Sequence, residues 1–266
     1  MEKQAKIITI ANEKGGVAKT TLAINLGAVL ATLKEKKVLL IDLDPQGNST
    51  DVLFHKISDD YTPTMYEVLK NENTSIKDII NSTSTPNLDV APSNLKLASA
   101  EIHLASIMGR EHVLKSSLDS DIMSKYDYIL IDTSPSLGIL TINALVASEY
   151  VLIPVSCEYF SVIGLDLLFD TIGLTHKKLG SDIEILGLVI TMHDVRLKIT
   201  HNAAEILQEK FPEKLFKAKI RINSKLKEAH LSHQTILQYA PASRGARDHI
   251  VFTTELIQRL NRKPAK

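Results

Sequence analysis

Short, continuously apolar runs alternate along this chain with longer stretches whose apolar residues recur every three to four positions. Residues 7–11, 38–41, 88–92, 128–132, 151–155 and 185–191 form the apolar runs. Uninterrupted apolar residues over so few positions fit strands covered on both faces. Between them, residues 20–33 place Leu22, Leu26, Val29, Leu30 and Leu33 on one side of a helix. Residues 139–147, 161–179 (entered through Gly164), 202–210 and 242–260 read as further helices. From Asp51 to Ser84 the pattern weakens to helical pieces at 65–70 and 76–80, separated by turns rich in Asn, Ser and Thr. Helices then follow the run 88–92 through about Ala105 and Leu118. Strands alternating with helices predict an α/β fold, a doubly wound and mostly parallel sheet flanked by helices. One domain over residues 1–266 is the expectation, and ligands of such sheets bind at the carboxyl ends of the strands.

Composition narrows this picture only slightly. The 266 residues are 44% hydrophobic and 23% charged, enough for one sizeable core. Formal net charge is zero, so any polyanion must be met by a local patch. Cys157 is the one cysteine, which excludes an internal disulfide framework and a cysteine-ligated cluster or zinc site. No apolar run approaches the ~18 residues of a spanning helix, and residues 1–6 lack an apolar signal core. The expectation is a soluble, cytoplasmic protein. With only Met1 to Lys6 ahead of the first strand, no appended N-terminal helix-turn-helix is expected either.

The first strand runs into Asn12-Glu13-Lys14-Gly15-Gly16-Val17-Ala18-Lys19-Thr20-Thr21 and then into a helix. A glycine-rich turn between strand and helix aims several backbone N–H groups at one point, where the helix dipole adds positive charge. That is a phosphate cradle. Lys19 can reach terminal phosphates, and the Thr20 hydroxyl can ligate Mg²⁺. The Walker pattern G-x-x-x-x-G-K-[ST] is not met, because its glycines would fall on Glu13 and Ala18. If position 18 needs a positive φ, alanine costs about 1 kcal/mol there relative to glycine. Slowed nucleotide chemistry is the expectation.

Acids gather at the ends of other strands. Asp42 and Asp44 close the run 38–41, and Asp132 closes the run 128–132. Turn or cap roles are the ordinary use of an Asp-Pro pair such as Asp44-Pro45. Beside a cradle and a metal, however, a carboxylate that orients water completes a phosphoryl-transfer site.

Lys14-Gly15-Gly16-Val17-Ala18-Lys19-Thr20 resembles the deviant Walker A box, K-G-G-x-x-K-[ST], of the ParA/MinD group of P-loop ATPases. Residues 38–48 resemble the Walker A′ element of the ParA/Soj family of plasmid or chromosome partition ATPases, and 126–138 its Walker B region. The resemblance runs from about Lys6 to Leu260. It implies ATP and Mg²⁺ as ligands, with residues 14–21 (Lys14, Gly15, Gly16, Val17, Ala18, Lys19, Thr20 and Thr21) around the nucleotide. Lys14, Lys19 and Asp44 would be catalytic. Thr20, Asp44 and Asp132 would form the metal region, Asp44 by orienting the attacking water and Asp132 by holding Mg²⁺ through water. It further implies that Lys14 crosses to the partner's ATP in a face-to-face homodimer. By sequence alone Lys14 is equally a solvated lysine or a ligand of its own subunit's nucleotide. The nitrogenase iron protein shares the loop but needs cysteines this chain lacks.

Ser156-Cys157-Glu158-Tyr159-Phe160 with Gly164 and Leu165 also resembles a recurrent family segment, and Met192 to Arg196 matches the next loop less closely. Asn143 and Glu158 could touch ligand or interface, with core or cap roles standing beside that. Between Lys210 and Glu228 seven basic residues face two acids, a local excess of five. This reads either as a solvated surface or as a DNA-binding one. The resemblance favours nonspecific DNA, with Lys217, Lys219, Arg221, Lys225 and Lys227 as candidates. It also implies a ParB-like centromere-binding partner that stimulates hydrolysis, and nucleoid association in the ATP state. Family members usually carry proline at the position of Arg221 and glycine at that of His233, which leaves the adenine contacts open.

Two rival readings remain. One is a MinD-like ATPase whose C-terminal helix, running into Arg262-Lys263-Pro264, binds membrane. Against it, Val251, Leu256, Ile257 and Leu260 are expected to pack on the core, with no stable membrane association. The other is an ATP-dependent DNA-binding regulator in which Ala18 has slowed or suppressed hydrolysis.

Overall fold

The computed structural model describes residues 4–54, 63–70, 74–157 and 165–262. Glu158, Tyr159, Phe160, Ser161 and Gly164, and likewise Lys263 and Pro264, lie outside the described residues.

Among the described residues eight strands form one sheet: β1 Lys6–Ile10, β2 Val38–Leu43, β3 Asn81–Ser82, β4 Leu88–Ala91, β5 Tyr128–Thr133, β6 Tyr150–Ser156, β7 Glu184–His193 and β8 Leu215–Arg221. Their order is β3-β4-β2-β5-β1-β6-β7-β8. Every pairing is parallel except β3 with β4. The doubly wound expectation therefore holds, with one short antiparallel strand closing an edge.

The apolar runs are continuous because alternate residues serve different layers. Ile8, Ile10, Leu40 and Leu130 turn to a core shared with Leu22, Leu26 and Leu30 of the helix Lys19–Leu33 and with Phe252 and Leu256 of the helix Arg244–Asn261. Ile7, Leu39, Ile41, Ile129 and Ile131 turn to the opposite layer, against the helices Met65–Lys70, Leu97–Leu104 and Ile139–Ala147. A third cluster continues that packing over β6 and β7 through the helices Leu165–Leu179 and Lys198–Lys210.

Three departures from the sequence pattern matter for the site. The basic span holds regular structure, β8 and the helix Ser224–Leu231. In β8, Phe216, Ala218 and Ile220 are buried while Lys217 is exposed and Lys219 and Arg221 are half-buried, the period-2 signature of a half-covered strand masked by its basic residues. The helix Asn48–Phe54 lies where the pattern predicts only loop. At the C-terminal end, Leu256 and Leu260 are buried and Ile257 packs beside them, but Val251 is 55% exposed and corrects the expectation that it packs on the core. No helix among the described residues is long and apolar enough to cross a membrane.

Candidate nucleotide site

The cradle forms where β1 ends. Asn12 is buried and donates its amide to Pro154 O at 2.8 Å, while its Oδ1 accepts the Lys14 N–H at 3.0 Å. Gly16 takes a φ of 74° and Ala18 a φ of 63° with ψ of 34°, so position 18 does require the left-handed conformation. Val17 is buried, and its carbonyl accepts from the Thr191 hydroxyl of β7 at 2.9 Å, which ties the loop to the sheet. The helix Lys19–Leu33 then begins with no side-chain cap and no acid in its first turn. Its leading N–H groups and dipole are left facing the loop, the arrangement that attracts an anion. Thr20 and Thr21 sit half-buried in that first turn.

Lys19 is buried, with Nζ donating to the carbonyls of Asn12 (2.9 Å) and Lys14 (3.2 Å). Burial pulls its ammonium below the usual lysine range, opposed by the charges of Asp132 and Asp44. Lysine and acids thus converge as the motif spacing predicts. Lys14 is half-buried, and Gly15 and Gly16 are exposed.

Sheet register brings the acids together. Asp42 and Asp132 are directly paired across β2 and β5, and Ile10 pairs with Asp132 on its other side. Asp42 accepts the N–H and hydroxyl of Thr50 on Oδ2, at 2.9 and 2.8 Å, and the Asp44 N–H on Oδ1 at 3.1 Å. Burial, with Asp132 adjacent, pushes its carboxyl up to about 7. Asp132 accepts the Ser49 hydroxyl on Oδ2 at 2.8 Å. Burial pushes it up to about 6, against the pull of Ser49, Thr20 and Lys19. Asp132 Oδ1 is buried and, among the described residues, has no hydrogen-bond partner. An unpaired buried carboxylate oxygen beside a threonine hydroxyl at a helix start fits a hydrated divalent cation. Asp44 is 6% exposed; its Oδ1 accepts the Gln46 N–H at 3.0 Å, and its carbonyl accepts from the Ser93 hydroxyl and the Gly47 N–H. One oxygen of Asp44 is thereby oriented by an Asx turn and not spent on another side chain.

Ser49 and Thr50 escaped the sequence reading, although both sit within eight residues of Asp42. Ordinary serines and threonines carry no signal until a helix aims them. A cleft of about 340 Å³ also went unread, at the carboxyl ends of β7 and β8, lined by His193, Asp194, Arg196, Arg221, Asn223 and Arg244 among others. Cys157 is buried 3.9 Å from His193 Nδ1, and burial pushes its thiol up to about 11. Asn143 is a structural cap: it accepts the Leu114 N–H and donates to Arg110 O and Ile139 O.

The basic candidates divide. Lys217 and Lys227 are exposed. Lys225 is exposed and ion-paired with Glu228 at 2.6 Å. Lys219 is half-buried and close enough to His193 and Cys157 to affect both. Arg221 is engaged bidentately by Asp248.

A strand, an uncapped helix, a buried lysine and two register-paired acids make this a P-loop nucleoside-triphosphatase fold of the deviant Walker A type. A family model described as an AAA domain matches residues 5–185. Over 251 residues the chain is 43% identical to the sporulation initiation inhibitor protein Soj of Bacillus subtilis, covering 94% of this chain and 98% of that protein. It is 39% identical over 254 residues to the chromosome partitioning protein ParA of Myxococcus xanthus, covering 96% and 88%. Cobyrinic acid a,c-diamide synthase from Mycobacterium smegmatis, solved with bound ATP analog and magnesium, superposes with a TM-score of 0.81 at 30% identity over 96% of each chain. The chain belongs to the ParA/Soj family of partition ATPases.

Proposed function

We propose that this protein is an ATP-dependent DNA-partition ATPase, acting through a single P-loop domain as a nucleotide-timed switch. The observation that carries this is the meeting of buried Lys19, the uncapped helix start and the unpaired Asp132 Oδ1 at one sheet edge. Lys19 exchanges its loop carbonyls for the terminal phosphates, and residues 14–21 enclose the phosphate chain. Thr20 and Asp132 would hold Mg²⁺, which supplies charge neutralisation on the phosphate oxygens. Asp44 orients the attacking water with its unspent oxygen. The base belongs in the 340 Å³ cleft. β8 lies three strands from β1, about 14 Å at ordinary strand spacing and so within the length of a nucleotide.

In the ATP state Lys14 reaches the partner's nucleotide and the chain is a homodimer. DNA meets the outward face of β8 and the helix Ser224–Leu231, with Lys217 and Lys227 the foremost contacts. Lys219, Lys225 and Arg221 follow, because each is half-buried or already paired. A ParB-like partner stimulates hydrolysis, and the ATP-bound form is nucleoid-associated. The buried apolar face of the last helix supports this reading over a MinD-like membrane role, since Phe252, Leu256 and Leu260 are already used by the core.

Lys19→Ala is expected to abolish nucleotide binding and, with it, ATP-dependent DNA binding in a filter or anisotropy assay. DNA binding by that variant at wild-type affinity with ATP present would sink the switch. The left-handed Ala18 supports one variant of this reading, a clamp that hydrolyses slowly or not at all. Single-turnover phosphate release by the wild type with DNA and partner present separates the two.

A further inference from the structure

His233 sits in the left-handed region with a φ of 49°. Glycine would hold that backbone without strain, so what the imidazole touches points to what it supplies. Its Nδ1 lies 3.1 Å from the carbonyl oxygen of Asp51 and 3.1 Å from a carboxylate oxygen of the same residue. A carbonyl only accepts, so Nδ1 carries the proton and donates to both. Asp51 belongs to the helix Asn48–Phe54, so His233 grips that helix through both the backbone and the side chain of one of its residues.

The first residues of the same helix handle the acids of the nucleotide site. The Ser49 hydroxyl holds Asp132, and the Thr50 N–H and hydroxyl hold Asp42. The Asp51 N–H donates to Gly47 O at 2.8 Å, and the Gly47 N–H donates to Asp44 O at 2.9 Å. One helix therefore touches the carboxylates of Asp132 and Asp42 and is linked through Gly47 to the backbone of Asp44. His233, for its part, closes the turn after the helix Ser224–Leu231: its N–H donates to His230 O, and the Gln234 N–H donates to Ala229 O, both at 2.9 Å.

We propose that His233 is a positioning residue for the nucleotide site, setting through Asp51 where the helix Asn48–Phe54 presents Ser49 and Thr50 to Asp132 and Asp42. The same turn ends the helix bearing Lys225 and Lys227, so the link runs from the basic surface to the acids. The kinetic part of the test rests on the ATPase reading above; the structural part does not.

The full chain is compared as wild type, His233→Gly and His233→Asn. Glycine relieves the backbone and deletes the donor, whereas asparagine tolerates left-handed φ and keeps an N–H. His233→Gly is expected to lower kcat for MgATP roughly fivefold, the factor one hydrogen bond of ordinary net strength produces. KM should stay within about twofold, as for a change felt in the reacting state and not in binding. The thermal midpoint should be unchanged or higher, and His233→Asn should restore most of kcat. Without nucleotide, hydrogen exchange in a peptide covering residues 47–54 should rise in His233→Gly and return in His233→Asn. Equal kcat and exchange in His233→Gly and wild type overturn the proposal, as does a loss that asparagine fails to rescue or one that tracks a lowered midpoint. If the wild type turns over no ATP, the ATPase reading fails and the exchange comparison alone decides the role of His233.

Discussion

Ala18 opens the helix Lys19–Leu33 from a left-handed conformation that costs an alanine about 1 kcal/mol or slightly more. Ala18→Gly is therefore expected to raise stability by about 0.5–1 kcal/mol in chemical denaturation, the strain relieved being partly offset by glycine's freer unfolded chain. If the strain also slows the loop's closure on phosphate, single-turnover hydrolysis rises in the same variant. Asp44 allows a sharper separation. Its carboxylate is buried, oriented by Gln46 N–H and placed next to Lys19. Asp44→Ala should leave nucleotide affinity within a few-fold of wild type and reduce steady-state phosphate release by roughly 10² or more, the usual scale for a group positioning the nucleophile. Equal losses in binding and turnover would show that Asp44 serves the cradle and not the water.

At the scale of elements, β8 is the exposed edge of the sheet, and the last helix protects it. Glu255 accepts the Lys217 N–H at 3.0 Å and the Ala218 N–H at 2.9 Å, and it is braced by Arg259 one turn on. Arg259 in turn lies 3.8 Å over the Phe216 ring and donates to the carbonyls of Lys214 and Leu215. A carboxylate on two edge N–H groups blocks a strand from another chain. Glu255→Ala should cost about 1–2 kcal/mol, chiefly for the part-buried Ala218 N–H left unpaired. It should also increase concentration-dependent association in the absence of nucleotide, read by light scattering.

Across the whole molecule, buried ionisable groups give nucleotide-free stability a pH dependence with opposed parts. Asp42 and Asp132 titrate higher folded than unfolded, so between about pH 4 and 7 the native state keeps protons the unfolded chain has released. Their contribution is present at low pH and is lost as pH rises. His249 is fully buried, donates Nδ1–H to Gly245 O, and burial pulls it down to about 4 from 6.5. Here the unfolded chain binds the extra proton, so stability falls as pH drops from about 6.5 to 4. The stability advantage of wild type over His249→Asn should shrink by roughly 2–3 kcal/mol between pH 7 and 4 in urea denaturation. A constant difference would mean that His249 is hydrated and titrates normally.

Much of this molecule is local in the chain and was readable there. The parallel sheet followed from continuous apolar runs, because a strand covered on both faces needs no polar alternation. The cradle followed from glycines, lysine and threonine in fixed order, because a strand, a turn and a helix start set their geometry without help from elsewhere. Asp42, Asp44 and Asp132 announced themselves by standing at strand ends. The rest depended on neighbours far away in sequence. β8 was masked because its outward lysines broke the apolar run, and only packing against Phe252 shows that Phe216 and its alternates form a strand. Ser49 and Thr50 acquired meaning when register set Asp132 beside Asp42. Arg221 read as a free cation until Asp248, 27 residues on, claimed its guanidinium. The sequence by itself thus determined the fold class and the phosphate loop, whose physics is short-range. Tertiary structure alone decided which charges are paired, which hydroxyls orient the acids and where His233 reaches, because those depend on contacts between distant segments that no local pattern encodes.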